Sequence, residues 1–396
     1  MLLVSLLLSL GNAANADSIR FPTAGDPPAA VAVAHPLALP SEVGMRVTEL
    51  LRAEEAVVAE VQRGGFPGAA IAIGRWDRTV VERGVGRLDW NVGAPVVDPD
   101  FTIYDLASLT KVIATTTAVM LLVEDGRMQL DAPVSHYLPN FYGPGKEFVT
   151  VRHLLLHNSG LPAGADIWAP TPEGSSARAL TVPLRAVAGQ RVEYSDIGFV
   201  VLWAAAEAAY GGPLYRLLDE RVFGPLDMRS TTFLPGRWCE RCAPTGQTKD
   251  GAAFRGVVHD PTARRIGGIT GNAGLFSTVH DLTRFAAMLA MGGEVDGVRV
   301  LERETIERFT RRQAGAGTRA LGWDTPGSGG GGAAGVQISS SAFGHTGFTG
   351  TSLWVDPDRG TWVILLSNRT FEPRAPNRIQ AVRRTLHDFV AVSAAP

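Results

Sequence analysis

Residues 106–124 read LASLTKVIATTTAVMLLVE: Ser108, two residues, Lys111, then Val112, Ile113, Thr116, Val119 and Met120 at helical spacing. In the first turn of a helix, residues i and i+3 share a face, so the Lys111 amine is set beside the Ser108 hydroxyl. A serine hydroxyl is a poor nucleophile at neutral pH and needs a neighbouring group to take its proton. The amides at a helix N-terminus also favour negative charge developing there. Lys111, Lys146 and Lys249 are the only lysines, so the placement of one at this spot carries weight. The plainer alternative is an N-cap serine followed by an incidental lysine, because S-x-x-K alone is a weak pattern.

On the N-terminal side, Met45, Val47, Leu50, Leu51, Val57, Val58 and Val61 recur at helical spacing, with Ser41 placed to cap the helix. Gly68 to Gly74 and Thr79 to Gly86 then read as two strands joined by a hairpin near Asp77. From Ser108 to about Leu289 the pattern is mainly helical, broken by Gly- and Pro-rich loops. Beyond it, Leu353 to Val355 and Thr361 to Leu366 are β-rich runs bridged by Asp356-Pro357-Asp358-Arg359-Gly360, a hairpin signal. Ile379, Val382, Leu386 and Phe389 close the chain on a helix. Strands near both ends with a helical block between them predict an α+β fold. A mostly antiparallel sheet is built from both termini (41–107 and 290–396), with flanking helices and an inserted helical lobe (108–289). The active site is expected in the cleft between them. Gly327 to Gly335 is low-complexity and reads as a loop.

The 396 residues suit one large domain or two interlocked ones, and 45% hydrophobic against 19% charged residues supplies a sizeable core. A formal net charge of -2 gives no basis for nucleic acid as a partner. Residues 1–10 form an apolar run, followed by Ala14-x-Ala16, an acceptable signal-peptidase site; no basic residue precedes the run. The run is too short to span a bilayer as a helix. Export to the periplasm or medium is therefore expected, with residues 1–16 as a signal peptide, 17–40 as an extended leader and no retained transmembrane segment. Cys239 and Cys242 lack the further pair that structural zinc requires, and loop signals surround them. They read as a local disulfide or two idle thiols.

LASLTKVIATTTAVMLLVEDGRMQLDAPVSHYLP (106–139), VRHLLLHNSGL (151–161), YSDIGF (194–199), NAGLFST (272–278) and GHTGFTG (344–350) together resemble the serine β-lactamase and penicillin-binding family. Within it they look like the branch of class C β-lactamases, DD-peptidases, D-aminopeptidases and related esterases. The resemblance runs from about Phe66 to the C-terminal helix and holds three spaced motifs in the family's order. It implies Ser108 as the acylated nucleophile, Lys111 as its partner and Tyr194 as the residue that relays the proton to the leaving group. It also implies an oxyanion hole from the backbone N–H groups of Ser108 and Phe348, and substrate contacts from Asp196, His345, Thr346 and Gly347.

Two departures bear on substrate. The family usually has Asn where Asp196 stands, and a carboxylate can only accept hydrogen bonds, so a donor to an acylamide carbonyl is lost. Asp196 is expected to pair with Lys111 or to receive a substrate amine. At the first position of the third motif Lys is commoner than His345, which is mostly neutral near pH 7 and holds a carboxylate less firmly. Both point away from an efficient β-lactamase.

Two-step acyl transfer follows as the expected chemistry, with no metal or organic cofactor. Small carboxylic esters rank first as substrates, D-amino-acid peptides or amides second and β-lactams third. The rival is a penicillin-binding-type module that binds without turnover. His153 and His157 have metal-pair spacing but no glutamate at 154 and no third ligand, so packing or capping is favoured. His259-Asp260-Pro261 and Asn272-Ala273-Gly274 either shape the cleft mouth or form turns. Trp323, Phe343 and Trp354 either line the pocket or pack in the core. No G-x-S-x-G elbow occurs, which argues against an α/β-hydrolase.

Overall fold

A computed structural model describes residues 37–236, 239–247, 251–327 and 332–394. The expected signal peptide (1–16), most of the leader, Lys249 and part of the Gly-rich stretch 327–335 lie outside the described residues.

Helix α1 spans Val47–Arg63 and leads into strands β1 (Gly68–Arg75) and β2 (Arg78–Gly86). The segment 108–289 contains α2 (Thr117–Glu124) and α3 (Asp196–Tyr210) among shorter helices, and all but the last residue of α4 (Val279–Ala290). Strands β3 (Phe343–Thr346), β4 (Ser352–Asp356) and β5 (Thr361–Ser367) and helix α5 (Ile379–Ser393) complete the chain. The five strands form one antiparallel sheet in the order β2-β1-β5-β4-β3. Its centre joins the two ends of the sequence, Ala69 facing Ser367 and Arg75 facing Thr361.

Side chains alternate across a strand, and here both faces are covered. Ala69, Ile71 and Ile73 of β1 pack with Val363 and Leu365 of β5 under α1 and α5, against Leu50, Val57, Val382 and Leu386. Ala70 and Ala72 face the other way with Ile364 and Leu366, in the core that holds Leu282, Phe285 and Ala286 of α4. That is why the run GAAIAIG is apolar without alternation. Helix α4 thus packs on the sheet although it falls within the lobe segment, 108–289. Helix Arg303–Thr310, from the C-terminal segment, meets α2.

Ser41 does not cap α1. Pro40–Val43 makes a separate 3-10 turn, opened by Pro40 and ended by Gly44 in the left-handed region (φ 65°), so α1 starts only after Arg46. Trp323, Phe343 and Trp354 are buried in the core. Cys239 and Cys242 are joined in a disulfide. The helical run Ala107–Glu124 is long and apolar enough to cross a membrane, but 83% of it is buried inside the fold.

Candidate active site

The Ser108 turn is built on a short strand. Tyr104 and Asp105 pair with Ser277 and Phe276 of Leu275–Ser277, which fixes where the chain enters this turn. Ala107 then takes φ 47°, a left-handed conformation that costs a non-glycine residue about 1 kcal/mol or more. The Asp105 carboxylate holds the turn by accepting from Ala107 N–H at 2.8 Å and His259 N–H at 2.6 Å. It is fully buried, and burial raises its pKa to about 6.

Ser108 lies in a 3-10 turn (Ala107–Leu109), and Lys111–Thr116 continues as a wide π-helical turn before α2 begins. Hydroxyls at i+5 fill the wide turn: Thr116 donates to the Lys111 carbonyl at 2.7 Å and Thr117 to that of Val112 at 2.9 Å. The helix expected from Ser108 onward is therefore not regular in its first two turns. The face shared by i and i+3 survives, with Lys111 Nζ 3.1 Å from Ser108 Oγ.

Lys111 is completely buried, and its ammonium donates three ways: to Ser108 Oγ, to Asp196 Oδ1 at 2.6 Å and to the Asn272 carbonyl at 2.8 Å. Burial by itself would depress its pKa. The Asp196 carboxylate, with Tyr194 beside it, more than reverses that and holds the amine above its ordinary range. The expected Asp196–Lys111 pair is thus present. Lys111 also lies 4.9 Å from the centroid of the Tyr194 ring.

Ser195 explains how Tyr194 and Asp196 both reach Lys111. It caps α3, its hydroxyl accepting from Gly198 N–H at 2.9 Å and donating to the Pro162 carbonyl at 2.6 Å. The residues on either side are then turned outward. His157 supports this corner: its Nδ1 accepts from Ser195 N–H at 3.0 Å and its ring lies 4.4 Å from that of Tyr194. That bond leaves the proton on Nε2 and the ring neutral, and burial pushes its pKa well down. His153 caps its own helix, exchanging hydrogen bonds with Thr150. Neither histidine is arranged as a metal ligand.

The third motif forms the edge strand β3 and the loop after it. His345 is buried, and its Nδ1 donates to the Thr346 carbonyl at 2.8 Å. Burial first, then Arg319 and Lys111, push its pKa well below the ordinary value. The ring is neutral, and its Nε2, which has no protein partner, can only accept. A β-carbon on Gly347 would sit 2.0 Å from Thr351 Oγ1 and 2.5 Å from the Leu106 carbonyl, so only glycine allows this approach to the Ser108 turn. Phe348 is 62% exposed, between His259 (ring centroids 5.7 Å apart) and the Arg369 guanidinium, 4.8 Å away. Among the described residues, no protein acceptor meets the N–H of Ser108 or of Phe348.

Asp260 caps helix Pro261–Arg265 and accepts from Asn272 Nδ2 at 3.0 Å. These residues hold a turn, and what reaches the site is the Asn272 backbone carbonyl on Lys111. Sequence reasoning missed Asp105 and Arg319, whereas His157, read as packing or capping, does pack against Tyr194. Arg319 stands 5.4 Å from the Tyr194 ring centroid, and among the described residues its ion-pair partner is Asp324 at 3.9 Å. A single arginine before Ala320-Leu321-Gly322 offered no spacing signal.

Among the described residues, one set of three metal-capable groups converges: Glu82 on β2, Asp100 and His280 at the start of α4. His280 Nδ1 is 2.9 Å from Glu82 and 3.4 Å from Asp100, and the hydrogen bond with Glu82 raises its pKa to about 9. As a charged imidazolium it satisfies both carboxylates as an ion pair.

The sequence profile of the Beta-lactamase family matches residues 53–387. A Salmonella agona protein named as a D-alanyl-D-alanine carboxypeptidase is 29% identical over 390 residues, spanning 88% of this chain and 90% of that one. Among solved structures, a penicillin-binding protein homologue from Caulobacter crescentus superposes with a TM-score of 0.69 at 22% identity, covering 88% of this chain and 99% of the other. EstCE1, described as a hydrolase with promiscuous acyltransferase activity, gives 0.69 at 21% identity over 86% and 99%. With a profile match across most of its length and the same fold in these structures, the chain belongs to the Beta-lactamase family and is a serine hydrolase of that fold.

Proposed function

We propose that this chain is an exported acyl hydrolase that works through an acyl-enzyme on Ser108, with small carboxylic esters as its first substrates. The observation that carries the reading is the three-way bond of the buried Lys111 ammonium to Ser108, Asp196 and the Asn272 carbonyl. An ammonium with all three protons engaged cannot take the serine proton; it fixes Ser108 Oγ and lends positive charge. Tyr194, whose ring centroid lies 4.9 Å from Lys111 Nζ, supplies the oxygen that relays it in this reading. As Ser108 Oγ bonds to the substrate carbonyl carbon, its proton passes to the Tyr194 oxygen. The tyrosine's own proton passes to the departing alkoxide, so the carbon–oxygen bond breaks to alcohol and acyl-enzyme. The N–H groups of Ser108 and Phe348 receive the oxyanion. Water then repeats the sequence and releases the acid.

Esters rank first because Asp196 accepts only and His345 is a neutral acceptor, so neither grips an acylamide carbonyl or a carboxylate. A second reading, a peptide ending in a D-amino acid, is supported by the carboxypeptidase name of the 29% identical relatives. Arg319 beside Tyr194 adds a cation for such a terminus. Export is supported by the apolar run 1–10 and by the Cys239–Cys242 disulfide, which persists in oxidising compartments. The test is hydrolysis of p-nitrophenyl butyrate by the chain from Asp17, beside Ser108→Ala. Turnover that vanishes in the variant is expected; equal rates in both, or none in either, would remove ester hydrolysis at Ser108.

A further inference from the structure

We propose that Arg383, on the C-terminal helix and outside every catalytic motif, is the positioning residue of the oxyanion hole. The inference rests on the reading above in which Phe348 N–H receives the oxyanion. Arg383 Nη2 donates to the Gly347 carbonyl at 2.8 Å and to the Thr351 carbonyl at 2.6 Å. The Gly347 carbonyl belongs to the same peptide group as Phe348 N–H. A trans peptide is planar and its C=O and N–H point opposite ways, so a group that fixes the oxygen aims the hydrogen. A cation bonded to that oxygen also polarises the amide and makes its N–H a stronger donor.

The rest of the loop is tied to the nucleophile turn. Thr351 Oγ1 donates to the Leu106 carbonyl at 3.0 Å, and Thr349 Oγ1 to the Asp105 carbonyl at 2.7 Å. Gly347 N–H closes the loop on the Thr351 carbonyl at 2.7 Å. Arg383 thus sits behind a frame whose front presents two N–H groups without a protein acceptor. It is 3% exposed, and among the described residues no carboxylate pairs with it. A buried cation without a counter-charge is costly, and a neutral donor would brace two carbonyls at less expense. What the charge adds is field directed at the place where the substrate oxygen turns negative.

The test compares Arg383→Met and Arg383→Lys with the parent chain, using p-nitrophenyl butyrate turnover, inhibition by phenylboronic acid and thermal melting. Boronate on Ser108 is tetrahedral and sets a hydroxyl where the oxyanion would lie. For Arg383→Met, kcat is expected to fall roughly 10- to 100-fold with KM within about twofold, and boronate affinity to fall by the same factor as kcat/KM. Arg383→Lys keeps the charge and is expected to stay within about fivefold of the parent. If Arg383→Met does not fold, Arg383→Gln takes its place: a tenfold or greater fall in kcat with KM within about twofold supports the proposal, and parental kcat and boronate affinity overturn it. A rise in KM together with a lower melting temperature reduces Arg383 to a brace of the fold and overturns it too. A folded Arg383→Met with parental kcat and boronate affinity overturns the proposal and leaves the Ser108 chemistry standing. A parent chain that turns over no ester and takes no boronate overturns both.

Discussion

Replacing Asp196 by Asn tests the electrostatic core of the site. Lys111 has no exposed side-chain surface, whereas Asp196 is 30% exposed. Removing one partner of a buried ion pair typically costs about 3–5 kcal/mol, because a charge is left uncompensated. Asn retains an oxygen that can accept from Nζ, and the exposure of Asp196 gives water partial access. About 2–3 kcal/mol is therefore the expected loss. The sign follows from linkage: Lys111 has its pKa raised by the fold, so the pair's contribution is complete below the unfolded value of 10.5 and is lost as pH rises from there through the folded one. At pH 7.5 the whole loss is visible, as a melting temperature lower by roughly 3–6 °C. With the carboxylate gone, burial acts on Lys111 unopposed and drives its pKa down, so the pH–rate profile for p-nitrophenyl butyrate shifts. The Asn also supplies the missing donor, so labelling of Ser108 by a fluorescent penicillin is expected to appear. A melting temperature within 1 °C of the parent with an unchanged profile would refute the ion-pair argument. Undetectable penicillin labelling would refute the claim that an acceptor-only residue keeps β-lactams out.

Asp105 titrates near pH 6 in the fold against 3.8 free, so the stability it contributes is complete below pH 3.8 and is lost as pH rises through 6, by at most about 3 kcal/mol. Asp105→Asn is expected to flatten melting temperature between pH 4 and 7 and, by loosening Ala107 N–H, to slow turnover; thermal scans at several pH values read the first and ester kinetics the second. His280, raised to about 9 chiefly by Glu82, contributes stability that is full below 6.5 and disappears as pH rises through 9. His280→Gln should lose on the order of 1–2 kcal/mol at pH 6 and little at pH 10, measured by urea melts at both. Gly347→Ala would put a β-carbon 2.5 Å from the Leu106 carbonyl, which is backbone and cannot swing away. At least a tenfold fall in kcat/KM on p-nitrophenyl butyrate is expected.

The sheet was legible because its two hairpins carry short apolar, β-rich runs joined by turn residues, and because β1 is apolar on both faces. Ser108 and Lys111 were legible because they lie within one turn of each other. Their environment was not. The carbonyl on Lys111 comes from Asn272, 161 residues away, and nothing in a local pattern announces which distant backbone atom will arrive. Arg383 is invisible for the same reason: on an amphipathic C-terminal helix it reads as a solvated charge, yet tertiary packing buries it. Ser41 misled because N-cap residues also sit inside short turns, and Gly44 ends that turn before the helix begins.

Joining the two ends of the chain in the middle of the sheet sets a schedule for synthesis. The hairpin β1–β2 is made early, but the strand that covers its open edge, β5, is translated almost 300 residues later. At roughly 5–20 residues per second, that edge waits about 15–60 s without its partner. Meanwhile GAAIAIG presents an apolar run with unpaired backbone groups, the surface on which chains stick to one another. Any product that stops before Thr361 never acquires the covering strand, so interrupted chains are expected to aggregate rather than retain partial activity.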